Sequence, residues 1–215
     1  MQFNTENTSF NFTVEHLIVA GWTGRDAKAV QHHIDELAAI GVAPPSKVPL
    51  FYRVSNDLLT TDPLIEVLGD ASSGEAEPMI VRHGGTLWLG LGSDHTDRQL
   101  EATSVAASKQ ICAKPCAATL WDYATVADRL ETITIQSWIH ENGDWVLYQD
   151  GHLGQIRPLE ALITPSIFKL ARQCCAEPSR LSAAFALPQG FAPPCKIRRR
   201  ARKSALSTRH VRCPS

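Results

Sequence analysis

The chain holds no apolar run approaching the roughly 20 residues that span a bilayer, which excludes a membrane-spanning helix as an expectation from sequence. It also lacks a basic opening followed by an apolar stretch: "MQFNTENTSF" is polar, so no signal peptide is expected and the cytoplasm is the expected compartment. No internal repeat is visible. Among the 6 cysteines there is no C-x-x-C pair and no zinc-type spacing, so a zinc knuckle is not expected. Cys112 and Cys116 read as reduced structural thiols. The final stretch lacks acid: residues 166–215 carry eleven Lys or Arg and one acidic residue, Glu177. After Phe191 it also lacks any Phe, Trp or Tyr, so "KIRRRARK" has nothing on which to stack bases. Despite its charge, nucleic acid is not expected as a partner.

What is present is enough apolar residue, 44%, to build one sizeable domain or two small ones from 215 residues. "NFTVEHLIVAG" reads as a strand and "GRDAKAVQHHIDELAAIG" as a helix, with Val30, Ile34, Leu37 and Ala38 on one stripe. "LFYRV" and "LIEVLG" read as short strands. "MIVRHGGTLWLGLG" reads as a hairpin turning at Gly84–Gly85, and "ETITIQSWIHENGDWVLYQDG" as one turning at Asn142–Gly143. One helix is expected over Thr96 to about Gln110, then short helices at "TVADRL" and near Pro158. The sum is a β-rich α+β fold whose strands come mostly as hairpins. Beyond about Ile163 neither period 2 nor period 3.6 continues. The expected organisation is a domain over 1–165 and a basic, Cys-containing tail over 166–215, disordered or non-native.

Three clusters bear on chemistry. Glu75 and Glu77 in "SSGEAEPMIV" are two apart, so a strand would set both carboxylates on one face, an arrangement that favours a cation. Asp94, in "GSDHTDRQLE", follows the next strand and offers a third oxygen donor for a hard ion such as Mg²⁺. The bland alternative is a solvated acidic loop, with Asp94 or Thr96 capping a helix that starts near Asp97. The second cluster is "HHIDE", where His33 and Glu36 sit at i, i+3 and a carboxylate can orient an imidazole as general base; His32 is not excluded by spacing, and an ordinary charged helix face is the alternative. The third is cationic: Arg53 and Lys109, suited to a carboxylate or an enolate but equally to a surface.

In order, His33–Glu36, "PLFYRV" (49–54), Glu75–Glu77, "SDHTDRQLE" (93–101), Lys109 with Pro115 beyond, and the hairpin "WIHENGDWVLYQDG" resemble the fumarylacetoacetate hydrolase superfamily. "GDASSGEAEP" and "GLGSDHTDR" look more closely like an uncharacterised bacterial branch of it, over roughly residues 15–165. The resemblance implies a β-roll with a metal site at Glu75, Glu77 and Asp94 holding Mg²⁺, with Mn²⁺ or Ca²⁺ as alternatives. It implies His33, Glu36 and Lys109 as catalytic residues and Tyr52, Arg53 and Arg98 as substrate-binding residues, with His95 a bystander at the rim. The implied activity is hydrolysis or lysis of a small 2-oxo or 1,3-dicarbonyl carboxylate by a fumarylacetoacetase-type enzyme, in a homodimer. The alternative is an inactive relative that binds or is vestigial. Ser93 stands where the family has asparagine, sixteen residues separate Glu77 from Asp94, and Arg53 replaces a commoner lysine. No Gly-rich closing strand appears after Ile163, which points to an incomplete or frameshifted roll.

Overall fold

A computed structural model describes residues 1–39 and 41–163, together with strands at 181–186 and 209–212. In chain order the elements begin with β1 (Gln2–Asn4), β2 (Ser9–Asn11), β3 (Val14–Gly21), α1 (Ala27–Ala39), β4 (Leu50–Val54), β5 (Leu59–Thr60), β6 (Leu64–Val67) and β7 (Ser72–Ser73). They continue with β8 (Ala76–His83), β9 (Thr86–Ser93), β10 (Thr96–Asp97), α2 (Arg98–Glu101), α3 (Val105–Gln110), β11 (Lys114–Pro115), β12 (Trp121–Asp122) and α4 (Tyr123–Val126). β13 (Thr134–Glu141), β14 (Asp144–His152), α5 (Leu159–Leu162), β15 (Leu181–Ala186) and β16 (Arg209–Arg212) complete the set. The β-rich α+β expectation holds.

The central sheet has the order β12-β9-β8-β15-β3-β4. Its two faces follow from strand alternation. Leu17 and Val19 of β3 and Met79 and Val81 of β8 point to one side, where they pack with Phe3, Phe12, Val54 and Leu120. Ala20, Ile80 and Leu89 point to the other, against Tyr123, Val126, Leu130, Ile156 and Leu159. The β8–β9 hairpin turns at Gly84 and Gly85, both at positive φ, as glycine permits. Helix α1 buries Val30 and Ile34 against Trp22.

One reading from sequence is corrected. The single helix over 96–110 is two short ones: α2, capped by Asp97, whose carboxylate accepts the Gln99 and Leu100 amides, and α3, capped by Ser104. Capping therefore falls to Asp97 rather than to Asp94 or Thr96, because Thr96 and Asp97 first pair with Ser73 and Ser72 as a strand. Among the described residues, two strands lie beyond residue 165. β15 pairs parallel with β3 and antiparallel with β8, between them, and β16 pairs with β6. "LSAAFA" is a strand of mostly small residues with weak intrinsic β propensity, so sheet position rather than local sequence makes it one. The other residues of the expected tail lie outside the described residues.

Candidate functional site

The site grows from the open end of the β8–β9 ladder. Ala76 is the register partner of Ser93 and Glu77 of Gly92. The ladder runs one step further, because the Asp94 N–H donates to the Glu75 carbonyl at 3.0 Å. Asp94 thus lies across from Glu75, and Glu75 and Glu77 share a face by the two-residue period. Opposite Glu77, Gly92 puts out no side chain. The three carboxylates converge, each offering an oxygen within 4.8 Å of the others.

The convergence is buried. Glu77 and Asp94 have no exposed surface, and among the described residues neither Glu77 oxygen has a hydrogen-bond partner. Burial first, then the charges of Asp94 and Glu75, push the Glu77 carboxyl well above its ordinary range. A buried acid without partners, beside two more acids, is costly unless protonated or bound to a cation. That donor set, all hard oxygen, fits a divalent ion of the Mg²⁺ class.

Around the acids stand three cations. Lys109 donates a short hydrogen bond to Asp94 Oδ2 and a longer one, 3.3 Å, to Thr96 Oγ1. Its burial favours the neutral amine, but Asp94 and Glu75 outweigh it, so its pKa rises and it stays charged. Its ammonium also lies 5.9 Å from the centre of the Tyr52 ring. Arg98 spans Glu75 at 2.7 Å and Glu101 at 3.1 Å, and its Nε donates to Ser73 Oγ.

The third cation was not singled out from sequence. Lys114 is wholly buried and donates to the carbonyls of His95, Lys109 and Cys112 at 2.7, 2.5 and 3.0 Å. It stands 3.4 Å from Asp94 Oδ1, and burial lowers its pKa. Only its place beside Pro115 hinted at it. His95, read from sequence as lying at the rim, is instead buried, its Nδ1 3.1 Å from Ser93 Oγ. Desolvation, with Lys114 nearby, lowers its pKa to about 4. Gly74 makes room for it: a β-carbon there would lie 2.5 Å from His95 Cε1 and 2.8 Å from Ser93 Oγ.

The remaining sequence candidates fall elsewhere. Tyr52 shares the face of β4 that meets Lys109, whereas Arg53, one residue on, points to the opposite face and lies 3.2 Å from His16 Nδ1. The structure does not bring Arg53 to the carboxylates. On α1, Glu36 stands 3.5 Å from His33 Nδ1 and 3.4 Å from His32 Nε2. The His33 side chain is 33% exposed against 77% for His32, which makes His33 the inward member of the pair. Its ring lies against Trp22, centroids 5.8 Å apart. Trp22 in turn follows Gly21, where a β-carbon would press on Tyr52 at 3.1 Å. Trp22 and Tyr52 thus connect the α1 pair with Lys109.

The fold is that of the fumarylacetoacetate hydrolase type. Over 86% of this chain and 67% of the other, it is similar to 2-keto-3-deoxyarabinonate dehydratase, at 13% identity and a TM-score of 0.61. A candidate fumarylpyruvate hydrolase from Burkholderia cenocepacia matches at 16% identity and a TM-score of 0.54 over 88% of this chain and 83% of that one. A candidate fumarylacetoacetate isomerase/hydrolase from Oleispira antarctica matches at 16% identity and 0.54 over 89% and 88%. Among curated proteins none matches. The chain itself belongs to the family described as protein of unknown function DUF2848, whose model matches residues 20–181. Among the described residues, no helix is long and apolar enough to cross a membrane.

Proposed function

We propose that the protein is a divalent-metal-dependent hydrolase or lyase acting on a small 2-oxo or 1,3-dicarbonyl carboxylate. The observation that carries this reading is the partnerless, fully buried Glu77 carboxylate facing Glu75 and Asp94. These three residues would hold the ion, Mg²⁺ or else Mn²⁺ or Ca²⁺. When bound it supplies Lewis-acid polarisation of the substrate oxygens.

The chain's own residues do the rest. In this reading α1 carries His33 over the substrate, and His33, oriented by Glu36, takes a proton from water as the water oxygen attacks a carbonyl carbon. The carbon–carbon bond then breaks, its electron pair passing to the neighbouring carbonyl as an enolate. Lys109, kept charged by its acidic neighbours, donates a hydrogen bond to that enolate oxygen. Decarboxylation leaves the same enolate, so either outcome suits these residues. Tyr52 walls the site beside Lys109, and Arg98, held by Glu75, Glu101 and Ser73, keeps Glu75 in place and contributes to substrate binding by adding positive charge beside a substrate carboxylate.

The homodimer belongs to this reading. It is supported by the β13–β14 ribbon, which leaves Trp138, Trp145, Val146 and Leu147 exposed, and sedimentation of the full chain tests it. A second reading, an inactive relative, is supported by Arg53 lying on the far face of the sheet. Turnover of an acylpyruvate or an oxo-acid by the full chain with Mg²⁺, Mn²⁺ or Ca²⁺ separates the two. Turnover abolished by Glu75→Gln/Glu77→Gln supports the enzyme, and none under any of the three ions supports the relative.

A further inference from the structure

Ala76 lies between the two glutamates of the carboxylate group, and its amide faces away from β9. The bond from the Asp94 N–H to the Glu75 carbonyl fixes which residues of β8 hydrogen-bond toward β9: Glu75, Glu77 and onward by twos. Ala76, Pro78 and Ile80 therefore turn their backbone groups toward β15. But β15 pairs with β8 only from Met79 to Arg82. Pro78 has no N–H to lose, whereas Ala76 has one and, among the described residues, no strand to receive it.

A side chain receives it instead. The Ala76 N–H donates to Gln149 Oε1 at 2.6 Å, across 73 residues of sequence. The Ser137 hydroxyl donates to the same oxygen at 2.7 Å. Two donors saturate a carboxamide oxygen, so the side chain is held from both sides. Ser137 and Gln149 are cross-strand partners on the β13–β14 ribbon, and a bulge follows them at once, where Ser137 pairs with Gln149 but Trp138 pairs with Leu147. A bulge re-aims side chains locally, and here it sits where the ribbon meets β8.

We propose that Gln149 is a positioning residue: its carboxamide oxygen fixes the Ala76 peptide, and with it the spacing of Glu75 and Glu77, and so sets the cation affinity of the carboxylate group. Rotation about the Ala76 backbone would move both carboxylates relative to Asp94. This inference rests on the metal reading above, and its test separates the two.

The test uses the full chain and Mn²⁺ as probe, with two readouts: Mn²⁺ affinity by calorimetry, and hydrogen exchange at the Ala76 amide without metal. Gln149→Met keeps the length but removes the oxygen acceptor. It is expected to weaken Mn²⁺ binding about 10–100-fold, the range for groups that orient metal ligands, and to speed Ala76 exchange. Gln149→Glu keeps an acceptor oxygen and is expected to restore slow exchange and most of the affinity. Ser137→Ala leaves Gln149 in place with one donor fewer and is expected to shift both readouts the same way by less. Parent-like Mn²⁺ binding in Gln149→Met, or a Gln149→Glu protein as weak as Gln149→Met, overturns the proposal. A parent protein that binds no Mn²⁺ overturns the metal reading itself, while slow Ala76 exchange lost only in Gln149→Met would still attest the hydrogen bond.

Discussion

Asp94 and Glu75 face each other across the last rung of the β8–β9 ladder, joined by the Asp94 amide and the Glu75 carbonyl at 3.0 Å. That one backbone bond brings together residues nineteen apart in sequence. It explains why the acids of "GEAEP" and "GSDHT" belong to one site, and why a single hairpin between them is enough.

The burial of this site gives the metal-free protein a two-sided pH dependence. The folded-state pKa of Glu77 is raised above 4.5, so its contribution to stability is present below that value and is lost as pH rises through the folded pKa. His95 has the opposite sign: lowered from 6.5 to about 4, its contribution is present above 6.5 and is lost as pH falls toward 4. At 1.36 kcal/mol per unit the His95 effect is on the order of 3 kcal/mol. Chemical denaturation from pH 4 to 8 without metal should show both limbs. Glu77→Gln should flatten the alkaline limb, and a variant with the limb unchanged would assign it to another group.

Gly74 is expected to tolerate no side chain. A β-carbon would press on His95 and Ser93 inside van der Waals contact, and such overpacking costs about 1–3 kcal/mol. Gly74→Ala should lower the melting temperature, and because Gly74 precedes Glu75 it should blunt stabilisation by Mg²⁺ as well. A parent-like melt would show that the loop yields freely.

How much of this was legible in the sequence depended on how far each signal reached. The β8–β9 hairpin was legible because the Gly84–Gly85 turn and its flanking strands are local, and so was the E-x-E period. The split of α2 from α3 was not: Ala102, Thr103 and Ser104 can continue a helix, but Ser104 takes an extended backbone and caps α3, while the pairing of Thr96 and Asp97 with β7 displaces the start of α2. Arg53 illustrates the two-residue period acting against a reading, since one step along β4 separates the Tyr52 face from the His16 face. Lys114 and Gln149 could not be found from spacing, because their partners are backbone carbonyls and a backbone amide, which leave no side-chain signal in the sequence. β15 was missed because "LSAAFA" carries little local strand signal.

That strand makes a prediction about the tail. With β15 hydrogen-bonded to β3 on one side and β8 on the other, a chain ended at residue 165 should lose its cooperative thermal transition, because two strands at the centre of the sheet lose their shared neighbour. A sharp melt in the shortened chain would support the domain boundary expected from sequence.

The base is tested on α1. His33→Ala should lower kcat on an acylpyruvate or oxo-acid about 10²–10⁴-fold while leaving Mn²⁺ affinity unchanged, and Glu36→Gln should lose less. An inactive His32→Ala with an active His33→Ala would move the role one residue, and full activity in both would remove the pair from the chemistry.

The most direct test of the account is a calorimetric Mn²⁺ titration of the full chain beside Glu75→Gln/Glu77→Gln, in two buffers of different ionisation enthalpy. One ion per chain should bind the parent with release of a proton, because Glu77 must ionise to become a ligand, and the double variant should bind none. Equal binding by both proteins, or none by the parent, would contradict it.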